Sequence, residues 1–181
     1  MRRSKLDTAA TRARIVESAS RAFRANGIAA TGLAEVMTAA NLTNGGFYRH
    51  FASKEALVTE ACVTALDSVI HRLSAVATEH GLPGLAAYYL SIGHRDDTAN
   101  GCPLAALGAE LPRTQGPTRA AAAAGLRALT AIIAATPGAS EQSALAAASL
   151  LIGAVTMARA VDEPALSDAI LAAALAGFGR L

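Results

Sequence analysis

Along most of this chain, apolar residues recur at intervals of three and four, the spacing that places them on one face of a helix. From Thr8 to Asn26, Ile15, Ala19 and Phe23 form a buried edge, and Gly27 ends the element. Arg12, Arg14, Arg21 and Arg24 are expected on its wetter surfaces. A short stripe of Leu33, Val36, Met37 and Ala40 follows, with Thr31 placed as its N-cap. Glu35 sits in that helix's first turn, where the dipole favours a negative charge. Asn41 is among the few non-glycine residues that enter the left-handed region cheaply, so it is expected to close the helix. Leu42 plugs the corner, and Thr43 is placed to cap a second short helix held to the first by Phe47 and Phe51. Ser53 caps a third, with Glu55 near its start. That long helix carries the seam Val58, Cys62, Leu66, Val69 and Leu73 until Gly81, Pro83 and Gly84 break it.

Two short helices across a tight turn, then a longer one, match a helix-turn-helix, whose second helix enters the major groove by its N-terminus. Thr43 and Asn44 offer hydroxyl and amide groups to base edges. Gly45 and Gly46 leave room for a close approach of backbone to DNA, at about 1 kcal/mol of helix propensity each. Tyr48, Arg49, His50 and Lys54 offer groups for phosphates. The competing reading, a flexible Gly-Gly loop with Tyr48 merely packed, is disfavoured by the capped helices on both sides.

The segment resembles the DNA-binding domain of the TetR/AcrR family of bacterial transcriptional regulators. The resemblance rests on the opening helix with Ile15 to Phe23, Gly27, Thr31, and the Leu42-Thr43 turn. Above all it rests on Gly46-Phe47-Tyr48-Arg49-His50-Phe51 running into Ser53-Lys54-Glu55-Ala56-Leu57. It implies an all-α fold: a three-helix DNA-binding head at residues 1–54 and a helical effector-binding and dimerisation body at 55–181. It implies base or phosphate contacts from Thr43, Asn44, Gly45 and Tyr48, and phosphate contacts from Thr31, His50 and Lys54. The implied function is a regulator, expected to be a repressor, that binds a palindromic double-stranded operator as a homodimer and is released by a small-molecule effector. Gly32 and Asn41 depart from the family pattern, and Gly32 leaves the start of its helix open.

Composition fits helices better than sheets. Hydrophobic residues make up 52% of the 181 positions but aromatics only 4%, so Ala and Leu supply most of the apolar area and strand-forming runs are scarce. The net charge of +2 conceals an asymmetry: residues 1–60 carry nine Lys or Arg against five acids, the rest seven against nine. Basic charge thus gathers where DNA contact is expected. Arg2 to Lys5 forms either a basic arm for phosphates or a minor groove, or a disordered terminus. No signal-like apolar core follows it. The least charged stretch, Ser143 to Ala158, is 16 residues long, short of the roughly 20 needed to span a bilayer. The expectation is a soluble, cytoplasmic protein without a membrane partner.

Further helices are predicted at about 84–93, 103–111, 117–135, 141–160 and 165–178, separated by Asn100-Gly101, Pro112, Gly116-Pro117, Pro137-Gly138 and Pro164. The last two are rich in Ala, Ser and Gly, which let helix backbones approach closely, with Leu150, Leu151, Ile152, Val155, Leu171 and Leu175 supplying apolar area. By resemblance they pair with a second subunit; burial within one subunit is the alternative. Candidates for effector contact are Tyr88, Tyr89, His94, Cys102 and Met157, although ordinary packing or exposure accounts for each more readily than ligand contact. Cys102 lies in a Gly-Cys-Pro turn at a helix start, where a dipole can activate a thiol for sensing, whereas Cys62 sits on the apolar seam. His94, Asp96 and Cys102 are near in sequence without catalytic or metal spacing, so no enzyme, catalytic residue, metal or cofactor is expected.

Overall fold

The computed structural model describes residues 5–136 and 139–179, and every regular element among them is helical. Pro137-Gly138 and the Arg2 and Arg3 of the basic arm lie outside the described residues. Helix α1 spans Lys5–Asn26, so the predicted start at Thr8 was three residues late. Gly27 follows with φ 88°, a left-handed conformation that ends the helix without a Cβ penalty. Helix α2 is Leu33–Ala39. Its N-cap is Gly32 and not Thr31, and no side chain caps it. Asn41 closes it at φ 58°, as expected.

The second short helix expected after the turn is present as a 3-10 helix, Asn44–Arg49. Two adjacent glycines give an α-helical turn little support, and the tighter 3-10 form suits so short a piece. Thr43 stands at its N-cap without a side-chain hydrogen bond. Ser53 does cap helix α3, Lys54–Tyr89, accepting from the Ala56 amide. Helix α3 kinks at Gly81 (φ 66°, ψ −171°), where the sequence placed a break. The chain continues through α4 (Ile92–Asp96), α5 (Pro103–Leu107), a 3-10 turn at Leu111–Arg113, α6 (Gly116–Ala134), α7 (Glu141–Ala160) and α8 (Pro164–Phe178).

Two apolar clusters organise these helices. The head cluster joins Ile15, Ala19 and Phe23 of α1, Val36 and Met37 of α2, and Phe47 and Phe51 to Leu57, Val58 and Cys62 of α3. Leu107 and Leu111 reach into it from beyond α3. Along α3 the packing passes from the head cluster at Leu66 to the body cluster at Val69. One helix therefore belongs to both. Helix α6 lies close against α3, because Gly125 faces Leu66 where any Cβ would meet a methyl at 2.4 Å.

Helix α7 is longer than its least charged stretch. Its 20 residues, with mean hydropathy 1.5, are enough by length and composition to cross a membrane. Its inner face, Ala144, Ala147, Ala148, Leu151, Ala154, Val155 and Ala158, is buried in the body. The apolar character has a packing explanation on that face.

Candidate nucleic-acid interface

Phe47 anchors the presented segment. It is 1% exposed, its ring 5.6 Å from Phe51 and edge-on to Tyr48 at 5.1 Å. With that side chain held inside, Thr43, Asn44, Gly45, Tyr48 and Arg49 all face solvent, Tyr48 being 74% exposed. Gly46 and His50 are half-buried, and His50 Nδ1 is enclosed without a hydrogen-bond partner. Arg12 braces the segment from below. Its guanidinium pairs with Glu60 of α3, lies 4.4 Å from the Phe51 ring centroid, and donates to the His50 carbonyl at 3.4 Å.

Two residues expected at phosphates are otherwise engaged. Thr31 is 1% exposed and its hydroxyl donates to the Gly27 carbonyl at 2.6 Å. A hydroxyl at the closed end of α1 cannot also face a backbone phosphate, so Thr31 holds the α1–α2 loop together. Lys54 donates to the carbonyls of Ile28 and Thr31, both at 2.7 Å. Its ammonium braces the same loop from the start of α3.

Arg24, expected on a wet surface, is 6% exposed. It donates to the Ser20 carbonyl and hydroxyl, and across the molecule to the Gly101 carbonyl at 2.9 Å. Glu110 makes a second tie, accepting from the Ile28 amide at 3.1 Å and the Ala29 amide at 2.9 Å. Sequence periodicity signalled neither residue, because both bonds link positions some 80 residues apart.

Of the five candidates for effector contact, the structure brings four together. The His94 ring stacks near Tyr88 at 6.4 Å and meets Tyr89 edge-on at 4.5 Å. Its Nε2 accepts from the Cys102 amide at 3.0 Å, so the ring proton sits on Nδ1 and is donated to the Tyr89 carbonyl at 2.6 Å. Tyr89 is fully buried, its hydroxyl facing the Cys102 thiol with no other partner, and Cys102 is 2% exposed. Met157 is apart from them, 60% exposed on the outer side of α7. The sequence could not separate these cases, because a heptad position records a face and not what covers it. Cys62 behaves as core: burial pushes its thiol up to about 11. Larger cavities lie elsewhere, one of about 440 Å³ beside the Gly81 kink and one of about 350 Å³ where head meets body.

Burial holds the His94 imidazole below its ordinary range, outweighing the Tyr89 carbonyl bond that favours its protonation. The unfolded chain therefore takes up a proton on His94, near pH ~6.5, before the folded chain does. Stability contributed by the neutral ring is present above that pH and declines as pH falls below it. Urea midpoints measured from pH 7.5 to 5 should fall for the native chain and fall less steeply for His94→Gln. Parallel curves would remove His94 from the acid response.

Residues 15–61 match the family described as bacterial regulatory proteins, tetR family. The HTH-type transcriptional regulator TtgR of Pseudomonas putida is 45% identical over 58 residues, which are 32% of this chain and 28% of that protein. The uncharacterized regulator YerO of Bacillus subtilis is 43% identical over 49 residues, 27% of this chain and 17% of that one. The chain thus spans less than a third of the curated relatives it matches. Similarity to solved structures runs the full length. A TetR-family transcriptional regulator from Cytophaga hutchinsonii superposes with TM-score 0.75 at 26% identity, over 98% of both chains. Reduced E. coli NemR shares the fold, with TM-score 0.77 at 23% identity over 95% of this chain and 96% of that one. A helical body carrying an N-terminal helix-turn-helix head defines the class. Residues 15–61 carry the tetR-family signature, and the whole chain shares the fold of a solved TetR-family transcriptional regulator.

Proposed function

We propose that this chain is a cytoplasmic, ligand-responsive repressor that binds a palindromic operator as a homodimer and leaves it when a small molecule binds the body. The observation that carries the DNA contact is the exposed set Thr43, Asn44, Gly45, Tyr48 and Arg49 on a segment pinned from beneath by Phe47. Gly45 adds to it. Nothing lies within 4 Å of where its Cβ would be, and its φ is not positive, so the protein itself has no need of glycine there. A close approach by an outside backbone gives it a reason. Thr43 and Asn44 then read base edges, while Tyr48 and Arg49 bind phosphates.

The outer faces of α7 and α8 support the dimer. Leu145, Ala146, Ser149, Thr156 and Met157 of α7 are exposed, as are Leu166, Ala169, Ala172, Ala173, Leu175 and Ala176 of α8. No charge interrupts α8 after Asp168 through Phe178, a composition that suits a partner helix better than water. Two copies joined there would present two heads, which must sit about 34–36 Å apart to read successive major grooves. The effector acts by favouring a spacing that does not fit.

Selecting bound duplexes from a random pool tests the whole reading. A two-fold symmetric site is expected, with affinity falling steeply as salt rises because phosphate contacts release counterions. Indifference to every duplex at low salt would refute it. Gly45→Ala gives a sharper check. It should stabilise the chain slightly, by up to ~1 kcal/mol of helix propensity, yet weaken operator binding at least tenfold. Unchanged affinity in a gel-shift titration would mean that no DNA backbone approaches Gly45.

A further inference from the structure

The cavity of about 350 Å³ between head and body has walls from both. Ile28, Ala29, Lys54, Glu55 and Val58 come from the α1–α2 loop and the start of α3; Glu110 and Arg113 come from the segment leading into α6, and Thr118 from its first turn. Its volume falls at the small end of the range that holds organic ligands. The floor is apolar at Ile28, Ala29 and Val58, and the Thr118 hydroxyl is already paired with Thr59 at 2.8 Å. The Thr114 hydroxyl is likewise given to the Leu111 carbonyl at 2.7 Å, so specificity falls to the neutral Gln115 carboxamide and the four charged groups.

Those groups are not equally free. Lys54 spends two of its three ammonium protons on carbonyls. Arg113, which gives one guanidinium nitrogen to the Ala109 carbonyl, is exposed to water that serves its other donors, whereas Glu110 is half-buried. Glu55 is exposed at the first turn of α3. Each oxygen of Glu110 accepts a single amide proton, from Ile28 or Ala29, leaving half the carboxylate's acceptor capacity unspent. Glu110 also reaches the loop only because Gly27 lacks a side chain: a Cβ there would stand 2.7 Å from Oε1. The unspent acceptors are carboxylate oxygens, and the occupant that matches them carries donors and positive charge.

We propose that this cleft is a ligand site for a small organic cation with an apolar tail, whose charged end pairs with Glu110. The site is separate from the packed Tyr89–His94–Cys102 cluster and needs no rearrangement of the body core. A cation seated on the unspent lone pairs draws the Glu110 carboxylate away from the Ile28 and Ala29 amides and so loosens the loop that carries α2. Its regulatory consequence rests on the DNA-binding reading above; the binding itself does not.

Hexylammonium, hexanol and hexanoate titrated into the ¹⁵N-labelled full chain test the site directly. Hexylammonium should shift the Ile28 and Ala29 amide resonances saturably, at least tenfold more tightly than either other probe. Glu110→Gln should weaken that binding at least tenfold. Ala29→Phe, at an exposed position on the cleft wall, should abolish it by filling the space and decides the matter if the Gln variant does not fold. Silence at both amides, an equal response to hexanol or hexanoate, or full binding by either variant overturns the proposal. Operator affinity measured without ligand separates the two ideas. A chain that ignores DNA but binds hexylammonium defeats only the switch, whereas one that binds DNA and ignores hexylammonium defeats only the site.

Discussion

Phe47→Ala is expected to abolish operator binding while leaving the body folded. Truncating a fully buried phenylalanine costs about 3–5 kcal/mol, the lost transfer energy plus the cavity left behind. Small domains have only ~5–15 kcal/mol in all, and the head is held by less than the whole. Phe47 is also the one aromatic that touches both Tyr48 and Phe51, so its loss frees the exposed segment from its base. The body cluster, built from Val69 onward, contains no residue of that segment. Backbone amide exchange should therefore rise throughout α1 and α2 while α7 and α8 stay protected. Phe47→Leu, which keeps most of the volume, should retain partial binding. Uniform loss of protection across both clusters would show that head and body unfold as one unit.

The two packing clusters also mark what was legible in the sequence. Helix positions and their inner faces follow from local periodicity, so Ile15, Phe23, Val36, Phe47 and the α3 seam were readable without coordinates. The turn at Asn41 and the break at Gly81 were readable because few residues other than Gly and Asn suit the positive φ adopted there. The ties between distant segments were not. Arg24 has the same spacing as its solvent-facing neighbours, and only the Gly101 carbonyl 77 residues away explains its burial. Lys54 and Thr31 show the matching limit at the interface. A motif names residues near DNA, but the atoms decide which side chains remain free after the head's own carbonyls are served. Met157 fails as a pocket residue for a related reason: α7 is apolar on more than one side, and composition alone does not rank its faces.

The outer side of α7 and α8 carries the last and largest expected effect. Met157 is 60% exposed and Leu175 41%, so replacing both with glutamate leaves the subunit's own core intact. Exposed substitutions of this kind usually change stability by less than ~0.5 kcal/mol. In a homodimer joined through these helices, the same change would place four carboxylates in an apolar contact. Charges buried without partners are costly enough to separate the subunits. A single head then binds half an operator. Losing the tethered second head should weaken operator binding by about 10²–10⁴-fold, the usual gain from effective concentration. Sedimentation should give one subunit mass for Met157→Glu/Leu175→Glu, with unchanged helical circular dichroism and binding that no longer depends on half-site spacing. A double variant that still sediments as a dimer and grips the full operator would move the interface off this face, and with it the argument that α8 is uncharged on its outer side because another subunit covers it.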